Sequence, residues 1–163
     1  MKTVCIIQAR MGSSRLPSKV LLPLNGRTVI GEVLERCKAI PGIDEVVCAI
    51  PDSPQNDELD REALRYCVTY RGSEKDVLGR YYAAAKWAQA DIVMRVTGDC
   101  PLICPELCGD VLNSLRANQS DYASNIEPRT FPQGYDCEVF TFAILRRAYH
   151  EDGQREHVTT WMR

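Results

Sequence analysis

The chain lacks the marks of a membrane-spanning, secreted or nucleic-acid-binding protein. No apolar run approaches the roughly 18–20 residues needed to cross a bilayer. Residues 1–7 are too short for the apolar core of a signal peptide before they meet a polar loop. Both absences lead to the expectation of a cytoplasmic protein with no membrane partner. Basic residues are not in excess: 20 Lys and Arg stand against 22 Asp and Glu, a net charge of −2. No nucleic-acid partner is expected from that balance, although local cations remain available to grip a small phosphorylated ligand. The eight cysteines do not fall into the C-x2-C pairs of zinc and iron–sulfur sites. Cys100, Cys104 and Cys108 have i, i+4, i+8 spacing, but Pro101 and Pro105 interrupt any helix that would align them, so packing is preferred to a metal–thiolate site. Cys5, Cys48 and Cys67 sit in or beside apolar runs, where a reduced thiol behaves as a small hydrophobe. Also missing are the Walker A loop, the G-x-G-x-x-G dinucleotide fingerprint and a D-x-D metal motif.

No internal repeat, low-complexity tract or linker divides the 163 residues, so 1–163 is read as one domain with one core. Short apolar runs at residues 3–7, 45–50, 68–70 and 91–96 read as buried strands. Between them lie helical patterns at residues 28–40, with Thr28 as N-cap, at 56–67 and at 76–89, with Asp76 near the start. A helix over 105–118, strands over 121–124 and 137–142, and helices over 143–151 and 155–163 complete the pattern. Such alternation predicts an α/β fold with a mainly parallel sheet covered on both faces. Ligands of such sheets bind outside the carboxyl ends of strands at the topological switch point. The first and fourth strands both end in unusual polar sequence, residues 8–19 and 97–101, so a shared site is expected there. Residues 128–134 read as a surface loop long enough to act as a lid.

The loop Gln8-Ala9-Arg10-Met11-Gly12-Ser13-Ser14-Arg15-Leu16-Pro17-Ser18-Lys19 carries three cations, two adjacent hydroxyls and a glycine. A triphosphate needs such cations together with backbone N–H groups that approach closely. Taken alone, the loop is either a phosphate grip or a solvated basic loop. Asp99, in the turn Thr97-Gly98-Asp99-Cys100-Pro101, is either a turn residue or the lone carboxylate that holds Mg2+ beside a phosphate.

The order of residues in this loop, with Leu21-x-x-Leu24-Asn25-Gly26-Arg27-Thr28 behind it, resembles the opening of the cytidylyltransferases, among them the CMP-KDO and CMP-sialic acid synthetases. The likeness is greatest to the spore-coat polysaccharide branch, from which Ser18 departs by standing where a Gly is usual. The resemblance implies a Rossmann-like, three-layer αβα nucleotidyltransferase fold of GT-A-like type. It implies a CTP-triphosphate loop in which Ala9, Arg10, Gly12, Ser13, Ser14, Arg15 and Lys19 take part, with Arg10, Arg15 and Lys19 also catalytic. V-T-G-D-C-P-L-I resembles the family's second motif and gives Asp99 the metal, Mg2+, and a catalytic role. Arg71 and Ser73, in Y-R-G-S before D-V-L-G-R-Y, are candidates for the cytosine and ribose. Asn125, Asp136 and Glu138, in D-Y-A-S-N and G-Y-D-C-E-V-F, are candidates for the acceptor, with Asp136 also a candidate second metal ligand. His157, in R-E-H-V-T, is read as capping or packing.

The implied reaction transfers CMP from CTP to a sugar or sugar-acid acceptor and releases pyrophosphate, in polysaccharide or surface-glycan synthesis. A homodimer is the implied assembly. The family's later V-D-T-P-E-D-L-type segment has no counterpart here, so the chain is expected to lack that C-terminal segment. Two alternatives remain beside this reading: a glycosyltransferase using a nucleotide-sugar, and a nucleotide-binding protein without catalysis.

Overall fold

A computed structural model describes residues 1–13, 16–153 and 156–163. β1 (Thr3–Gln8) runs into the polar loop, a single turn over Lys19–Leu21, and a small hairpin of β2 (Pro23–Leu24) and β3 (Arg27–Thr28). Then follow α1 (Val29–Lys38), β4 (Glu45–Pro51), α2 (Asp57–Ala63), β5 (Val68–Gly72), α3 (Val77–Trp87), β6 (Ile92–Thr97), α4 (Pro105–Asn118), β7 (Tyr122–Ser124), β8 (Glu138–Thr141) and α5 (Phe142–Glu151).

The main sheet has the order β5-β4-β1-β6-β8-β7. β5, β4, β1 and β6 are parallel, β8 is antiparallel to β6, and β7 is antiparallel to β8. The chain steps outward from β1 through β4 to β5, then crosses back to lay β6 on the other side of β1. That reversal puts the switch point between β1 and β6, where the sequence led us to expect it.

Strand alternation sorts the core into two layers. Cys5 and Ile7 of β1 pack with Ile30, Val33 and Leu34 of α1, Leu59 of α2, and Cys108 and Leu112 of α4. Val4 and Ile6 face the other way, onto Leu78, Tyr81 and Ala85 of α3 and Leu145 and Ala148 of α5. The result is a three-layer αβα protein. Side-chain caps start the helices as the sequence suggested: Thr28 Oγ1 accepts from Gly31 N–H at 3.0 Å and Asp76 Oδ1 from Gly79 N–H at 2.7 Å.

Two elements differ from expectation. The helix expected over 56–67 ends at Ala63. Ala63 C=O accepts from both Tyr66 N–H and Cys67 N–H, so the chain tightens into a turn that delivers it to β5, and Leu64 is left exposed. No helix forms over the described part of 155–163, where a single turn closes as Thr159 C=O accepts from Met162 and Arg163. The cysteines are all free thiols. Cys5, Cys37, Cys48, Cys108 and Cys137 belong to one apolar cluster. Cys104 is the N-cap of α4, and its thiol donates to Glu106, so the spaced triplet does not share a helix. Among the described residues no three His, Cys, Asp or Glu side chains gather as a metal site.

Candidate active site

A cavity of about 280 Å³ opens at the carboxyl ends of β1 and β6. Gln8, Ala9, Arg10, Gly12 and Ser13 line it from the end of β1, and Lys19 and Val20 from the turn that follows. Arg95, Thr97, Gly98 and Asp99 close it from β6. The two polar sequences that end the first and fourth apolar runs thus meet. Ser14 and Arg15, also expected here, lie outside the described residues.

The loop is fastened by backbone groups and one buried amide. Ala9 N–H donates to Ala49 C=O on β4 at 3.4 Å. Met11 N–H donates to Oδ1 of Asn56, a fully buried side chain, at 2.9 Å. Met11 C=O in turn accepts from Ser13 N–H at 2.9 Å and Ser18 N–H at 3.3 Å. Ser18 has φ 54°, in the left-handed region. That conformation explains why glycine suits this position in the resembling branch. Gly12 is different: a Cβ built there would meet only Glu74 Oε1, at 3.8 Å, and its φ is not positive. Among the described residues nothing crowds a side chain at 12.

Across the cavity, Lys19 Nζ pairs with Asp99 Oδ2 at 2.5 Å. Burial alone would raise the Asp99 carboxyl, but the Lys19 ammonium and the Thr97 hydroxyl outweigh it and hold the group below its usual range. Gly98 sets how close β6 comes to the loop. A Cβ at 98 would lie 2.9 Å from Ala9 Cβ and 3.0 Å from Gln8 C=O, and Gly98 N–H donates to that carbonyl at 2.8 Å. Asp99 offers a carboxylate with the Thr97 hydroxyl beside it, hard oxygen donors of the kind a divalent cation such as Mg2+ takes. The cation now on Asp99 is an ammonium, so the residues fit a metal in charge and in donor type.

The remaining expected residues are placed less simply. Arg71 does not line the cavity; it bonds Asp52, Asp57, Asp60 and Ser53 C=O. Ser73 Oγ accepts from Asp76 N–H, and its carbonyl accepts from Arg80. Asn125 is a buried clamp, donating to Tyr135 C=O at 2.7 Å and accepting from Cys137 N–H at 2.9 Å. Through its carbonyl, Asn125 also binds Thr130, tying down the loop read as a lid. Asp136 forms a two-point pair with Arg129 at 2.6 and 3.1 Å. Burial pushes the Cys100 thiol up against the opposing Thr97 hydrogen bond, and the charges of Asp99 and Asp136 add to the rise. Glu138 is 2% exposed and enclosed by Arg95, Tyr122 and Arg163. Burial works to raise it, and Arg95 foremost holds it below the carboxylate range. His157 is exposed rather than packed, and Arg155 lies outside the described residues.

Sequence reasoning missed Gln8 and Arg95 as lining residues. It also missed Arg80, which is 1% exposed. Burial first, then the like charge of Arg10, push the Arg80 guanidinium below its usual range, so Arg80 lies within electrostatic reach of the loop.

Fold and cavity together define a mainly parallel α/β protein with a cavity lined by Arg10, Lys19, Arg95 and Asp99 at its switch point. The family model for cytidylyltransferases matches residues 4–163, and the chain belongs to that family. An uncharacterized protein of Methanocaldococcus jannaschii is 39% identical over 99% of this chain and 67% of its own length. The spore coat polysaccharide biosynthesis protein SpsF of Bacillus subtilis is 32% identical over 97% and 68%. The chain therefore spans about two thirds of each relative. Among solved structures, a cytidylyltransferase from Leptospira borgpetersenii superposes with TM-score 0.94 at 35% identity, over 99% of this chain and 71% of that one. CMP:2-keto-3-deoxy-manno-octonic acid synthetase in complex with CTP shares the fold, with TM-score 0.73 at 21% identity over 92% and 78%.

Proposed function

We propose that the protein transfers CMP from CTP to the hydroxyl of an acidic sugar and releases pyrophosphate, in the building of a surface glycan. The observation that carries this reading is the meeting of the cationic loop with Asp99 in one cavity at the switch point. The SpsF relative, named for spore-coat polysaccharide, and the CTP-bound sugar-acid synthetase of the same fold support the choice of nucleotide and acceptor.

On this reading Arg10 and Lys19 take the β- and γ-phosphates, and Ala9, Gly12 and Ser13 bring the loop against them; the sequence likeness alone adds Ser14 and Arg15 to these roles. Lys19, which pairs with Asp99, also lies where its ammonium can take a phosphate oxygen and stabilise the leaving pyrophosphate. Asp99 would hold Mg2+, with Asp136 as a second carboxylate, and the ion would supply charge neutralisation at the phosphates. No covalent enzyme intermediate is needed. Positioning and fixed charge supply the rate. Arg71 and Ser73 contribute to the nucleoside side by ordering the segment after β5, and Asn125 and Glu138 to the acceptor side by ordering the walls. All eight cysteines being free thiols fits a cytoplasmic setting. Homodimer formation is carried over from the family likeness and is read by light scattering.

Pyrophosphate release with CTP, Mg2+ and a panel of acidic sugars tests the reading. CTP-dependent release with at least one acid is expected. No CTP dependence across the panel overturns turnover, and a CTP titration then separates silent binding from none.

A further inference from the structure

Gln8 Oε1 and Arg95 Nε are buried atoms without a hydrogen-bond partner among the described residues. Leaving a buried donor and a buried acceptor empty is costly, and here both belong to side chains that line the same cavity. They come from strands rather than from the loop: Gln8 from β1, Arg95 from β6. Ile6 pairs with Arg95 and Gln8 with Thr97 across the ladder. The two-residue period therefore sets Gln8, Arg95 and Thr97 on one face of the sheet.

Arg95 is held from one end. Its NH1 donates to Glu138, whose carboxylate also accepts from Tyr122 at 2.7 Å and Arg163 at 3.0 Å. That contact leaves Nε of the guanidinium without a partner at the wall of the cavity that Arg95 lines. Two guanidiniums, Arg95 and Arg163, meet on one buried carboxylate, Glu138, and Arg163 also pairs with the exposed Glu127 at 3.5 Å.

We propose that Arg95 and Gln8 anchor the acceptor, the Nε edge of Arg95 taking its carboxylate and the Gln8 amide oxygen taking an adjacent hydroxyl. This rests on the cytidylyltransfer reading above and assigns the part of the site that selects the second substrate. A guanidinium edge matches a planar carboxylate at two points. A carboxylate cannot satisfy Gln8 Oε1, which needs a donor, so the ligand must carry both groups close together. The placement also separates the two substrates. Arg10 and Lys19 belong to a loop fastened toward β4 by Ala49 and Asn56. Arg95 lies on the opposite side of β1, toward β8. Glu138 is a positioning residue, fixing the guanidinium through NH1 so that the unpartnered Nε keeps one place in the cavity wall.

NMR of arginine Nε–H groups, with the Arg95 signal assigned from Arg95→Lys, reads the anchor without turnover. Added 2-keto sugar acids, 3-deoxy-manno-octulosonate among them, should shift the Arg95 signal saturably. Their methyl esters and CTP alone should not. A shift with CTP alone, an equal response to the esters, or no response to any acid overturns the proposal. In kinetics, Gln8→Met removes an unsatisfied acceptor at similar shape, so its melting temperature should hold or rise while the acceptor KM rises roughly 10-fold. Arg95→Lys keeps a charge opposite Glu138 but loses the fork, and should raise the acceptor KM by about 10–100-fold. The CTP KM should stay unchanged in both, and an unchanged acceptor KM in both overturns the anchor. Absence of pyrophosphate release with every acceptor is a failure of the cytidylyltransfer reading alone, because the NMR arm still decides the anchor.

Discussion

Lys19 and Asp99 link the loop to the acidic turn, and their pairing makes the metal assignment testable at the level of single residues. Asp99→Asn keeps the shape and removes the charge. Pyrophosphate release should fall at least about 100-fold, since a metal ligand supplies several kcal/mol of charge stabilisation. CTP affinity measured without Mg2+ should change little, and surviving activity would show that the metal sits elsewhere. Lys19→Met gives the complementary readout. With Lys19 present, the folded carboxyl is depressed, so its contribution to stability is present at neutral pH and lost only as pH falls through the depressed value, below about 4. Without Lys19, burial is opposed only by Thr97 and the backbone. A carbon-detected titration of the Asp99 carboxyl should therefore move upward in Lys19→Met, and an unmoved titration would mean that the pair is not formed in solution. Residues of this kind were legible because an ordered string carries them. Arg95 was not, because it lies in an apolar run and reads as strand, and Gln8, read as the first residue of the loop, was given no role of its own. The available signal was period: a polar residue at 8, and at 95 and 97, on a strand face that is otherwise apolar. Arg71 and Glu138 show the opposite hazard, since charged residues near a motif can be fully occupied by their own neighbours.

At the scale of elements, helix starts and buried strands were readable because local chemistry decides them. Thr28 and Asp76 cap where a hydroxyl or carboxylate precedes an apolar-periodic stretch, and Pro105 opens α4 where its missing N–H costs nothing. The hairpin of β2 and β3 went unread although Asn25-Gly26, both with positive φ, is the usual two-residue hairpin signal. Helix ends were harder. α2 stops at Ala63 because the chain must reach β5, and the apolar pattern continuing to Cys67 holds no sign of that. The helix expected over 155–163 failed for a related reason: one turn over Thr159–Arg163 buries Val158, Thr159 and Met162 without further helix. Thr28 offers a test of how elements are joined. Its hydroxyl caps α1 through Gly31 N–H and donates to Glu62 of α2 at 2.8 Å. Thr28→Ala should lower stability by about 1–2 kcal/mol, a cap together with a charge-assisted hydrogen bond. In urea unfolding the midpoint should fall with the slope unchanged. A wild-type midpoint would mean that neither bond is kept.

For the whole molecule, the site follows from topology more than from any single motif. The reversal of strand order around β1 brings the end of the first strand beside the end of β6, which lies more than eighty residues later in the chain. Alternating strands and helices made that meeting predictable. The antiparallel addition of β8 and β7, which delivers Glu138 to Arg95, was not predictable, because short strands of this length carry no sign of direction. Both helical layers and the added strands pack on one sheet, so we propose that residues 1–163 unfold as a single cooperative domain around the cavity. A ligand that bridges the loop after β1 and the turn after β6 then stabilises the entire unit. At a free CTP concentration 100 times its Kd the gain is about 2.7 kcal/mol. For a domain of this size that amounts to a melting shift of roughly 5–10 °C. Differential scanning calorimetry should show one transition moving up as a whole with CTP. ATP and GTP should move it less at the same concentration. The CTP shift should persist without metal in Asp99→Asn and shrink in Lys19→Met, because the lysine holds phosphate and the carboxylate does not. A transition that splits would overturn the single domain, and one that ignores CTP while responding to other nucleotides would overturn the choice of CTP.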